Sequence, residues 1–123
     1  ASSVIPNTAP PKENIKNIYH TDKKVAYLTF DDGPDEKYTS TLLDLLKKYD
    51  IKATFFVVGK HVKENPELVK RAYDEGHFIA NHGYNHNNSK LYKNDDSFIN
   101  EIKNTDIEIG NAIRCFKLLL TCI

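Results

Sequence analysis

The feature that most restricts this chain is an alternation between two periods. Three short apolar runs rich in β-formers, at residues 25–30, 53–58 and 78–80, each precede a longer segment whose apolar residues recur at helical spacing. The first run, Val25-Ala26-Tyr27-Leu28-Thr29-Phe30, predicts a strand that stops at the turn sequence Asp31-Asp32-Gly33-Pro34. Between about residues 36 and 49, Leu42, Leu45, Leu46 and Tyr49 mark one stripe of a charged helix. The second run ends at Gly59. Asn65 then fits an N-cap before Pro66 at the first helical position, with Leu68, Val69, Ala72 and Tyr73 as the buried face and Gly76 as the stop. The third run opens into residues 81–88, whose Gly and Asn content predicts a loop. A last helix fits residues 96–113, with Phe98, Ile102, Ile109 and Ile113 near one face. The order β-α-β-α-β-α implies parallel strands joined by right-handed crossovers, in an open sheet or a barrel.

A chain of 123 residues, 40% of them apolar, can bury one core, so a single domain is expected. Lys plus Arg and Asp plus Glu both number 17, so there is no broad basic field for nucleic acid or anionic lipid. Function must come from a local site. No segment approaches the roughly 20 apolar residues that cross a bilayer, and the first residues lack a signal peptide's basic start and apolar run. A targeting segment or anchor preceding this N-terminus stays open. Residues 1–24, with Pro6, Pro10 and Pro11, read as a linker or extended arm. Cys115 and Cys122 are too few for a disulfide framework or a zinc-finger pattern. They belong to an atypical tail at 114–123, which reads as a short apolar strand in preference to a truncated end.

Functional residues of parallel α/β folds collect where strands end at their C-terminal edge. Asp31 and Asp32 follow the first strand there, and His82 and His86 follow the third. Two imidazoles and one carboxylate can hold a divalent ion with positions left for water and substrate. A second carboxylate beside the ion can accept a proton from water. Neighbouring side chains at a strand end point in different directions, so Asp31 and Asp32 can divide these roles. Each piece also has an ordinary reading. Asp-Asp-Gly-Pro alone is a turn, and two histidines four apart can be surface residues. His20 and His61 are expected to be solvent-exposed, and His77 structural. Phe55 and Phe56 are expected in the core. Tyr84 either stacks on a sugar ring or packs the loop.

Thr29-Phe30-Asp31-Asp32-Gly33-Pro34 resembles the first motif of the polysaccharide deacetylase family, the fourth family of carbohydrate esterases. Gly76-His77 together with Asn81-His82-Gly83-Tyr84-Asn85-His86 resembles its second motif, and Ala53-Thr54-Phe55-Phe56-Val57 is similar to its second strand. The resemblance runs over residues 25–113, which it identifies as the N-terminal part of such a domain. It implies an α/β fold of the distorted (β/α) barrel type, with three β/α units present in this chain. It also implies Asp31 as catalytic base and Asp32, His82 and His86 as ligands of a divalent metal, zinc first, with cobalt, nickel or manganese as alternatives.

The implied reaction is removal of N-acetyl groups from N-acetylglucosamine polymers such as peptidoglycan or chitin, at the cell surface or outside the cell. The alternatives are a non-catalytic metal- or carbohydrate-binding module, a truncated fragment of such an enzyme, and an O-acetyl xylan esterase. The sequence departs from the family pattern where Gly83 replaces Ser or Thr, which is expected to loosen the loop. Asn87 replaces a frequent Pro, while Asn88 fits the Asn that steadies this loop in relatives. The family's Arg-Pro-Pro segment, its later Asp-x-x-x-Asp-Trp-like segment and its Leu-x-His, which carries the acid, have no counterpart among these 123 residues. The isolated chain is therefore expected to bind metal better than it turns over, and its incomplete barrel to self-associate.

Overall fold

The computed structural model describes residues 24–121. Strands β1 (Thr29–Gly33), β2 (Thr54–Val57) and β3 (Phe78–Asn81) form one parallel sheet in the order β1-β2-β3. Each strand lies beside its predecessor, so the sheet steps in one direction as a (β/α) barrel does. The reversal that marks a doubly wound sheet is absent among the described strands. Helix α1 (Thr39–Lys48) joins β1 to β2, and α2 (Gly59–Glu64) and α3 (Pro66–Asp74) join β2 to β3. A short α4 (Asn88–Leu91) and a long α5 (Asp95–Thr121) follow.

The core gathers on one face of β2. Phe55 and Val57 are buried there against Leu43 and Leu46 of α1, Val62 of α2, Val69 and Ala72 of α3, and Ile109 and Ala112 of α5. Each fully buried Val or Leu side chain contributes roughly 1.5–3 kcal/mol. Phe30 packs its ring 5.4 Å from that of Phe55, extending the cluster to β1. Arg71 of α3 ties back to α1, donating to Asp44 at 2.5 Å and to the Ser40 hydroxyl at 3.1 Å.

Several sequence expectations shift by a few residues, each for a physical reason. The first strand begins at Thr29, not Val25. In the register Thr29↔Thr54, residues 25–27 have no β2 partner, and Val25 and Tyr27 are exposed. In α1 the buried stripe is Thr39, Leu43 and Leu46, while Leu45 and Tyr49 face solvent, because the helix turns Leu43 to the sheet. In α3 Val69 and Ala72 are buried but Tyr73 is exposed. The inner face of α5 is Thr105, Ile109 and Ala112, whereas Phe98 and Ile102 are exposed. Asn65 occupies the N-cap position of α3 without a side-chain capping bond, and its Nδ2 donates to the His61 carbonyl instead. The tail is not a strand: α5 continues through Thr121, in keeping with the absence of Gly or Pro after Gly110. His20, Cys122 and nearly all of the arm lie outside the described residues.

Candidate metal centre

The carboxylate side of the centre is built by an irregularity in β1. Asp31 pairs with Phe56 and Gly33 with Val57, leaving Asp32 as the extra residue of a β-bulge with φ +70°. Asp31 and Asp32 therefore lie within the end of the strand rather than in a loop after it. A bulged residue misses its place in the ladder, so its carbonyl needs another donor. His61 of α2 supplies it, with Nδ1–H donating to the Asp32 carbonyl at 2.8 Å. His61 is thus half-buried and engaged, contrary to the solvent-exposed role expected of it. The Asp31 carboxylate is exposed and lines, with Asp32, Tyr38 and Phe30, a cavity of about 330 Å³.

The histidine side leaves β3 directly. His82 N–H donates to Val57 O at 2.9 Å, carrying the ladder one step past Asn81. Its ring stands edge-on to Phe56, centroids 6.3 Å apart, so Phe56 borders the site while Phe55 alone joins the core. The loop then reverses through Gly83 at φ +82° and His86 at φ +53°. A side chain at Gly83 would be strained by that backbone conformation, which accounts for glycine there.

This loop is not loosened. Asn81 Oδ1 accepts from Gly83 N at 2.8 Å. Glu101 of α5 accepts from Tyr84 N and Asn85 N at 2.8 Å and from Asn85 Nδ2 at 2.7 Å. Burial works to raise the Glu101 pKa, but the Asn85 and Tyr84 hydrogen bonds and nearby Lys90 outweigh it and hold the carboxyl below its ordinary value. Gly59 N and Lys60 N of α2 donate to the carbonyls of Gly83 and Tyr84 at 2.9 and 3.1 Å. Tyr84 packs the loop: a Cβ on Gly59 would lie 2.5 Å from its Cδ2 and 2.7 Å from Thr105 Oγ1. Asn87 caps α4, with Oδ1 accepting from Ser89 Oγ at 2.7 Å and Lys90 N at 3.3 Å, so Asn87 steadies the turn and Asn88 begins the helix.

These two constructions meet. Asp32 Oδ1 lies 3.1 Å from His82 Nε2 and 3.1 Å from His86 Nε2, and the three donor atoms all fall within 4.8 Å of one another. Tetrahedral zinc with bonds of about 2.0–2.1 Å separates its ligand atoms by about 3.3 Å, so the set fits such an ion. The predicted ligands are therefore brought together, with Asp31 next to Asp32 on β1. Sequence reasoning missed Glu101 and His61. Both act across 16 to 29 residues of separation, where no local pattern signals a contact. No described helix is long and apolar enough to cross a membrane.

A parallel β/α domain with a carboxylate and two imidazoles gathered at the C-terminal edge of its sheet defines a class of proteins able to hold a divalent ion there. This chain belongs to the polysaccharide deacetylase family, whose sequence profile matches residues 19–117. It is 52% identical over 106 residues to a peptidoglycan-N-acetylglucosamine deacetylase of Bacillus cereus, covering 86% of this chain and 36% of that protein. It is 42% identical over 92 residues to a chitooligosaccharide deacetylase of Rhizobium leguminosarum, covering 75% and 42%. The crystal structure of a Bacillus cereus polysaccharide deacetylase superposes with a TM-score of 0.68 at 55% identity, covering 74% of this chain and 43% of that one. The fold is accordingly the partial-barrel α/β type of those deacetylases. The chain spans less than half the length of these relatives.

Proposed function

We propose that this chain is the metal-binding, general-base part of a hydrolase that removes N-acetyl groups from N-acetylglucosamine polymers, peptidoglycan or chitin-like. The observation that carries the reading is Asp32 Oδ1 at 3.1 Å from both His82 and His86 Nε2, where β1 ends and the loop after β3 begins, in a chain of the deacetylase family. Asp32, His82 and His86 would hold the ion, zinc first, with cobalt, nickel or manganese as alternatives. When bound, the ion supplies Lewis acidity toward the acetyl carbonyl and makes water more acidic.

Asp31 is the base that takes the proton of the attacking water. It suits the task because it shares a strand end and a cavity with Asp32, yet its carboxylate makes no hydrogen bond or ion pair among the described residues. A polymeric cell-wall substrate places the protein outside the cell or at its surface. The exposure of Leu28 at the approach to β1 and of Phe78 on β3 supports self-association of the chain as part of this reading.

The test is acetate release from chitooligosaccharides by the cobalt- or zinc-loaded chain. Release that stops with Asp31→Asn supports the reading, and release that survives the substitution sinks the role of Asp31. Metal uptake without acetate release favours the second reading, a module that binds metal and glycan without turnover. Competition with acetylated xylan separates amide from ester preference.

A further inference from the structure

The segment between the two histidines poses a geometric problem. Both Nε2 atoms must reach one carboxylate oxygen, and His86 does so from φ +53°, a backbone region that non-glycine residues seldom occupy. Such a conformation persists only where surrounding bonds determine it. Residues 82–84 are held from several directions, by Val57, Asn81 and the first two N–H groups of α2. Asn85, the residue immediately before His86, is different. Among the described residues its backbone N–H and its side-chain Nδ2 are both bound by Glu101, and by nothing else. The same carboxylate takes Tyr84 N.

We infer that Glu101, which carries no ligand atom itself, is the positioning residue that sets the approach of His86 to the metal. The inference rests on the metal reading of the centre. Its three accepted N–H bonds converge from the two residues preceding His86, so one carboxylate fixes the direction in which the chain arrives there. Outer residues that orient a ligand in this way change metal affinity without touching the ion. Glu101 is not needed to dock α5. Ile109 and Ala112 are buried in the core, and Asn81 Nδ2 donates to Ile102 O and Asp106 Oδ1, each at 2.8 Å.

The experiment is a cobalt(II) titration of the full chain, read by visible absorption, beside thermal unfolding of the metal-free protein. Glu101→Ala is expected to weaken cobalt binding by about tenfold to a hundredfold, in the range of lost outer partners, and to alter the visible bands as His86 leaves its position. Glu101→Gln keeps an acceptor for the two backbone N–H groups but turns an NH₂ toward Asn85 Nδ2. It should fall between, about threefold to tenfold weaker than wild type. Wild-type affinity and spectrum in Glu101→Ala overturn the inference, even if its melting temperature drops, since that pattern is a structural role alone. If Glu101→Ala does not fold, unchanged cobalt affinity in Glu101→Gln overturns it equally. A wild-type chain that takes up no cobalt overturns the metal reading and this inference together, whereas a binding wild type with indifferent variants overturns this inference only.

Discussion

The two sides of the centre are built in opposite ways. The histidine side is tied from three elements, with β2, α2 and α5 all bonding the segment that carries His82 and His86. The aspartate side hangs on a strand with a single described neighbour, and its special backbone at Asp32 is answered mainly by one bond from His61. Side-chain exposure follows the same division at its extremes, 63% for Asp32 against 32% for His82. A site made this way has its imidazoles fixed by many bonds and its carboxylate by few.

The strongest way to break the contrast is Gly59→Ala. The new methyl would meet Tyr84 at 2.5 Å and the Thr105 backbone at 3.1 Å, so the loop or α5 must move. Destabilisation of about 3 kcal/mol is expected by urea unfolding, together with lost cobalt uptake. A variant of wild-type stability would show that the histidine side is far less determined than its contacts suggest.

Asp32→Asn addresses the other side. Asn tolerates positive φ, so stability should stay within about 0.5 kcal/mol of wild type. Metal affinity, measured calorimetrically, should nevertheless fall by at least ~100-fold, beyond the effect of an outer partner. Cooperative unfolding at markedly lower temperature would instead make Asp32 a structural residue. A smaller effect is expected of His61→Ala, which strips the Asp32 carbonyl of its donor and should cost about 1 kcal/mol. His61→Asn should recover it, because the Asn Nδ2 can stand where the imidazole Nδ1–H does. If Asn fails where His succeeds, the bond to the bulge is not what matters.

The mildest perturbation is acid. His77 immediately precedes β3 and accepts from Ala53 N at 3.2 Å through Nδ1, which requires that nitrogen unprotonated. Burial first, then the charge of Lys52, lower its pKa below 6.5, with Glu75 offsetting only part. Between the lowered folded value and the ordinary one, the unfolded chain binds more protons. Stability is therefore complete above about pH 6.5 and declines as pH falls through that window. Urea midpoints against pH should show this slope in wild type and a flatter one in His77→Gln. Equal slopes would remove His77 from the explanation.

The alternation of periods made the fold class legible, since Phe55 and Val57, Leu46, Val69 and Ala72 follow local rules of strand and helix. That Asp31, Asp32, His82 and His86 follow strand ends was legible for the same reason, whereas the choice of Asp32 as the metal-side carboxylate came from the family motif. What stayed hidden depends on partners far along the chain. The frame of β1 is set by where β2 begins, so Val25 to Tyr27 have strand composition and no strand to join. Helix α2, only six residues long, is too short to display a period. Glu101 sits on a charged helix among other acids, and only the fold reveals that it faces the loop.

The unequal exposure of the ligands has a kinetic side. An ion held here would exchange through the door that Asp32 and His86 leave open, 63% and 54% exposed, with His82 as the last tether to let go. Loss of Asp32 would then speed release as well as lower affinity, and loss of His82 would remove the last hold on the ion.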